Sequence, residues 1–188
     1  VGIFSASAKE SNPTTSKTTG SGSEYGSAAF GSVFAEAVLA DKLIVGVDYL
    51  PSALETETAE TAKSQKGTAD AITTATNKIQ VDFEHMTTLY AGVMLNENLY
   101  IKAGFVQVDV ITNEDLGTGS SYGDTELDGS IFGFGYHNAM DNGMFVRVEG
   151  SYMDFDGATQ TSSSNADRKI ELTSLDGVTG KVSFGKSF

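Results

Sequence analysis

The chain has 188 residues, no cysteine, no tryptophan and a net charge of −13. That acidic balance argues against a nucleic-acid partner, which needs a basic patch to neutralise phosphates. Without cysteine there is no thiol catalysis, no disulfide and no zinc–thiolate site. The length suits one domain, Val1–Phe188. No run of about 18 apolar residues reads as a transmembrane helix. The chain opens at Val1 without Met or a basic leader, so a signal peptide on the precursor is expected to have been removed. The 11 Phe and 7 Tyr oppose disorder, and two arginines with a periodicity near 2 oppose a helical bundle.

In chain order the alternating segments are 1–9, 24–39, 43–51, 78–95, 99–111, 125–137, 144–155 and 168–188, the last broken at Asp176-Gly177. We read each as a strand. The separators 10–23, 52–77, 112–124 and 157–167 are long and polar; Asn12-Pro13 and Gly20-Ser21-Gly22 supply turn chemistry in the first. The Ala, Glu and Lys content of 52–77 leaves room for a short helix. The links Ala40-Asp41-Lys42, Asn96-Glu97-Asn98 and 138–143 are short. Eight strands therefore have four long and three short connections in strict alternation. An up-and-down antiparallel barrel in an outer membrane has this layout, with long extracellular loops and short periplasmic turns. A soluble sandwich has no reason to alternate so regularly.

The two faces differ. Arg147, Glu149 and Ser151 oppose Val146, Val148 and Tyr152. Asp82, Glu84 and Tyr90 oppose Phe83, Leu89 and Val93, and Leu43, Val45 and Val47 oppose Asp48. Glu36 shares its face with Phe30 and Phe34. The fifth segment changes parity after Phe105, which a bulge there would reconcile. In a membrane barrel the apolar face meets lipid and the charged face lines the lumen. Segment lengths near the ~9–11 residues needed to span favour that reading. So do aromatics towards segment ends (Tyr49, Tyr100, Phe132, Phe134, Tyr136, Phe145, Tyr152, Phe155, Phe184, Phe188), placed as interfacial girdles. Eight strands leave an interior that side chains fill. The expected lumen network is Lys102, Arg147 and Lys181 with Glu36, Asp48, Asp82, Glu84, Glu149 and Glu171. Charges in so narrow a lumen must be paired or reached by water, so a plug is expected in place of an open pore.

The chain resembles small bacterial outer-membrane barrels of the OmpX or OmpA-transmembrane-domain type. The most specific part is the C-terminal segment Gly180-Lys181-Val182-Ser183-Phe184-Gly185-Lys186-Ser187-Phe188. Val182, Phe184 and Phe188 match the terminal alternation that such barrels use as an assembly signal; Lys186 departs from it. Gly133-Phe134-Gly135-Tyr136, followed by a turn and Phe145–Glu149, resembles their penultimate hairpin. The resemblance implies a Gram-negative outer membrane and the barrel-assembly machinery, lipid and lipopolysaccharide as partners. It leaves room for a loop-mediated protein or cell-surface partner.

Chemistry of other kinds is not expected. His85 and His137 lack the Ser and acid that a hydrolytic site needs. Asp154-Phe155-Asp156-Gly157 lacks the rest of a calcium loop. There is no phosphate-binding glycine motif. No catalytic residue, metal or cofactor is expected. The alternatives are a narrow porin-like channel and a soluble lipocalin-like or sandwich binding domain.

Overall fold

The computed structural model describes residues 1–12, 17–40, 42–66, 72–116, 121–164, 166 and 168–188. Pro13, Asp41 and parts of the separators 52–77, 112–124 and 157–167 lie outside these residues. Among the described residues there is no helix, so the one allowed for in 52–77 is not seen; strand occupies 54–55, 59–66 and 72–77 of it.

The strands are β1 (Gly2–Asn12), β2 (Lys17–Ala28), β3 (Val33–Leu39), β4 (Leu43–Tyr49), β5 (Leu54–Glu55), β6 (Ala59–Lys66), β7 (Ile72–Met94), β8 (Leu99–Leu116), β9 (Thr125–Ala139), β10 (Met144–Phe155), β11 (Ala158–Thr161) and β12 (Lys169–Lys186). They form one antiparallel sheet in the order β2-β1-β12-β10-β9-β8-β7-β4-β3, with β5 and β6 beside β7 and β11 beside β12. The count differs from the eight expected for two reasons. The segment 24–39 divides into β2, paired with β1, and β3, paired with β4. The long separators add β5, β6 and β11. Among the described residues no ladder joins β2 to β3, so hydrogen bonding alone does not close the sheet.

Two of the short links are built by side-chain capping. Asn96 Oδ1 accepts from the Asn98 and Leu99 amides at 2.9 and 2.8 Å. Asn142 Oδ1 accepts from Met144 N at 3.0 Å, and Gly143 adopts φ 79°, which favours glycine.

The sheet curls on itself. Strands β10 and β3 are five places apart in the ladder order, roughly 24 Å across a flat sheet. Yet Arg147 on β10 lies 2.5 Å from Glu36 on β3. Lys181 on β12 likewise reaches Asp48 on β4. Curling gives the sheet an inner and an outer face.

The chemistry of those faces reverses part-way along the strands. Below, towards the short turns, β8 points Leu99, Ile101 and Phe105 outward and Tyr100 and Lys102 inward. Above, towards the long loops, it points Val106, Val108 and Val110 inward and Gln107 and Asp109 outward. Phe105 is 78% exposed and Val106 1%. The β8–β9 register runs unbroken through this point, so the bulge expected near Phe105 is not there. The valines continue on the opposite parity because inside and outside exchange chemistry. The outward row Phe132, Tyr152, Val178 lies one step from the row Ser130, Asp154, Asp176 on β9, β10 and β12. The reversal therefore falls on neighbouring ladder rows.

A bulge does occur, in β7 between Glu84 and Thr87, where His85 takes φ 52°. It turns Val81 and Phe83 inward onto the upper apolar cluster of Leu50, Met86, Val106, Leu127, Met153 and Phe155. Phe83 therefore does not share the outward face of Leu89, as alternation alone predicts. Three aromatics expected in the girdles, Tyr100, Phe145 and Phe155, are instead buried.

Candidate functional site

The interior has two storeys. In the lower one, Glu36 (β3), Asp48 (β4), Lys102 (β8), Arg147 and Glu149 (β10) and Lys181 (β12) come together. Alternation places them inward: on β10, Arg147, Glu149 and Ser151 are buried while Val148 and Tyr152 are exposed. Arg147 Nη1 donates to Glu36 Oε1 at 2.5 Å, and the Tyr90 hydroxyl donates to the same oxygen at 2.5 Å. Arg147 Nε donates to His137 Nδ1 at 3.0 Å. Lys102 Nζ is 2.7 Å from Glu149 Oε1, and Tyr100 donates to Glu149 Oε2 at 2.6 Å. Ser151 adds a third donor to Glu149 at 3.1 Å, and Lys181 pairs with Asp48.

Three cations thus face three carboxylates in a formally neutral cluster. Aromatic faces help to hold the cations in place: Lys102 lies over Tyr90 at 4.5 Å and Arg147 over Phe145 at 4.8 Å. Lys102 is 4% exposed and Arg147 7%, so neither is at a wet rim. Small residues make the space. A Cβ at Gly46 would stand 2.6 Å from the Tyr90 ring, and one at Gly135 would stand 2.5 Å from the Tyr100 ring.

Between the storeys lies a cavity of about 30 Å³, bounded by Asp48, Lys102, Glu149 and Ser151 below and by Met86 and Ile131 above. That volume holds one or two waters. The apolar cluster lies above it. The arrangement neutralises charge and fills space.

Asp82, Glu84 and Glu171 do not join the cluster, which corrects the expectation for them. Asp82 accepts from Asn113 on the upper outer surface at 2.6 Å. Glu84 stands beside outward His85, which contacts Asp109 at 3.2 Å. Glu171 pairs with Lys9 at 3.0 Å, both partly exposed. All three lie above the reversal level, where the outside is the polar side. Higher on β7, Glu60 raises the Lys78 ammonium above its ordinary value through a 2.8 Å contact. Of the C-terminal residues, Val182 and Phe184 line the outer face and Phe188 lies exposed beyond β12.

Sequence reasoning missed Tyr90, Tyr100 and His137 as partners. The signal was present in the cross-strand pairs Gly46–Tyr90 and Tyr100–Gly135, where a glycine gives space to an inward ring. Among the described residues no three His, Cys, Asp or Glu side chains group as a metal site.

No protein-family model matches the chain, and no curated protein matches it. Among solved structures it is similar to CarO2 of Acinetobacter baumannii, at 12% identity and a TM-score of 0.30, over 96% of this chain and all of that one. A likeness of that degree decides neither fold nor function.

Proposed function

We propose that this chain is an integral outer-membrane β-barrel with a side-chain-filled lumen. Its role is structural, and its long loops display an interaction surface. One observation carries the reading: below one level the sheet is apolar outside and charged inside, and above it the order is reversed. A protein surrounded by water has no use for the lower arrangement, because it exposes Val148, Phe134, Phe184 and their neighbours while burying Arg147 and Lys102. A barrel that leaves the bilayer part-way along its strands needs both arrangements.

The dimensions agree. From Met144 to Tyr152 the outward apolar residues of β10 cover about 26 Å of strand, or about 20 Å of membrane at the usual tilt of ~40°. β7, with 23 residues, runs well past that band. In this reading eight strands form the barrel, with β2 and β3 as two halves of one strand bent at 29–32, and seven of them reach down around the lower storey. The short turns face the periplasm, and the upper storey stands outside the cell above the outer leaflet. Lipid and lipopolysaccharide surround the band, the barrel-assembly machinery recognises the segment ending in Val182, Phe184 and Phe188, and the loops are free to meet a protein or cell-surface partner.

The test is electrophoresis in SDS with and without boiling, after folding in detergent. A membrane barrel shifts in mobility on boiling; a protein that stays soluble without detergent and shows no shift contradicts the proposal. Planar-bilayer recording checks the plug. The charge cluster and apolar cap predict no stable unitary conductance, and a steady, saturable current would show a channel.

A further inference from the structure

Among the described residues, two strand edges of the lower band have no ladder partner, and the Lys181–Asp48 and Arg147–Glu36 pairs bring them to the same side of the curled sheet. In β12, residues 181–186 pair with β10 on one side only. In β3, Val33–Leu39 pairs with β4 on one side only. Gly180 exchanges both backbone hydrogen bonds with Val1, at 2.8 and 2.9 Å. By alternation, the backbone groups of Val182, Phe184 and Lys186 point to the same side as those of Gly180. Val182 and Phe184 carry outward apolar side chains, so these backbone groups lie at the depth of the apolar band. Unpaired backbone groups are not tolerated where a strand edge faces hydrocarbon.

Direct contact between the two edges does not solve this. Six antiparallel steps lead from β12 to β3, so the two run in the same direction. Zipping them together would create a parallel ladder in an otherwise antiparallel sheet. The geometry just above shows what fits. There β1 lies between β12 and β2, with Gly2 opposite Thr179 on one side and Ala28 on the other. β3 continues β2 downward and β12 continues beside it, so the slot that β1 occupies extends into the band.

We infer that this slot is filled by a segment of the same polypeptide lying N-terminal to Val1, an upward-running strand of about six residues in line with β1 and antiparallel to both β12 and β3. It raises the strands around the lower storey from seven to eight. Ile3 faces out and Gly2 is buried, so the residue joined to Val1 faces the lumen and the one before it faces lipid. Lipid-facing positions are apolar and lumen-facing ones small or polar.

The inference rests on the membrane-barrel reading, and one experiment separates the two. The protein is made from its complete reading frame with any leader processed, isotope-labelled, and placed in phosphatidylcholine nanodiscs for NMR. Contacts of the Ile101 and Val148 methyls with lipid acyl protons report on the barrel reading; their absence overturns both. With those contacts present, the expected result is slow exchange of the Val182 and Phe184 amides, within tenfold of Ile101, and cross-strand contacts from these amides to residues preceding Val1. Three results overturn the inference while leaving the barrel intact. They are contacts from these amides directly to β3, contacts to a second copy in a mixed-label sample, and exchange at Val182 and Phe184 more than a hundredfold faster than at Ile101.

Discussion

Replacing Lys102 by Met tests whether the lower storey is a dry, paired plug. Lys102 is 4% exposed and its ammonium lies 2.7 Å from Glu149. Met keeps most of the aliphatic stem but removes the charge. Glu149 then keeps the Tyr100 and Ser151 hydroxyls as hydrogen-bond donors, at 2.6 and 3.1 Å, with no cation in direct contact, in a site where its side chain is 8% exposed. Breaking a buried pair from one side costs about 3–5 kcal/mol, a factor of about 10² to 10³·⁵ in the folding equilibrium. Urea unfolding of the detergent-folded protein, followed by tyrosine fluorescence and by the mobility shift, reads this directly. The double variant Lys102→Met/Glu149→Gln removes both charges while the new amide oxygen still accepts from Tyr100, and it should recover all but about 1 kcal/mol. A single-variant loss below about 1 kcal/mol would mean that Lys102 and Glu149 are solvated, because that is the range of a solvent-exposed pair.

Other expectations follow from the same geometry. Gly135→Val sets a branched side chain against the Tyr100 ring and should cost at least 1–3 kcal/mol in the same unfolding assay, whereas Gly180→Ala, with open space around it, should change stability by less than about 0.5 kcal/mol. Val148→Arg, on the lower outer face, should cost about 2–4 kcal/mol when refolding into lipid vesicles; Asp128→Lys, on the upper outer face, should cost less than about 0.5 kcal/mol, and equal effects would contradict the reversal. Val108→Asp introduces an unpaired carboxylate beneath the loops, and it should loosen the upper storey, seen as faster amide exchange at Leu127 and Val106, while Ile101 stays protected. The Lys78 ammonium is raised by Glu60, so that pair's support of the β6–β7 hairpin is full below pH 10.5 and fades as pH rises through the folded value; a lysine titration at or below 10.5 would contradict it.

Much of the strand pattern was legible because short links and alternation are local properties. Met144–Phe155 emerges with the bounds alternation gives it, and so does the opposition of Arg147 and Glu149 to Val148 and Tyr152. The six charges that meet inside all lie on strands below the reversal level, where one rule of parity holds. Asp82, Glu84 and Phe83 could not be placed that way. Their side depends on a bulge at His85 and on the level at which outside becomes polar, and neither is written in a run of alternating residues. The Val106–Val110 run looked like a change of register, but it is a change of surroundings. The division of 24–39 into two strands was equally hidden, since β2 and β3 take different partners far away in sequence.

The reversal can be located residue by residue. Single nitroxide labels replace Ile101, Ala103, Phe105, Gln107 and Asp109 in turn along the outer face of β8, and the protein is placed in lipid vesicles. Relaxation by oxygen reports acyl surroundings, and relaxation by a polar nickel complex reports water. A membrane surface that ends at the reversal gives oxygen dominance up to Phe105 and a switch to nickel at Gln107 and Asp109, with the same switch between Phe132 and Asp128 on β9. Labels that are uniformly accessible to nickel at all of these positions would contradict a membrane surface on the lower half of the sheet.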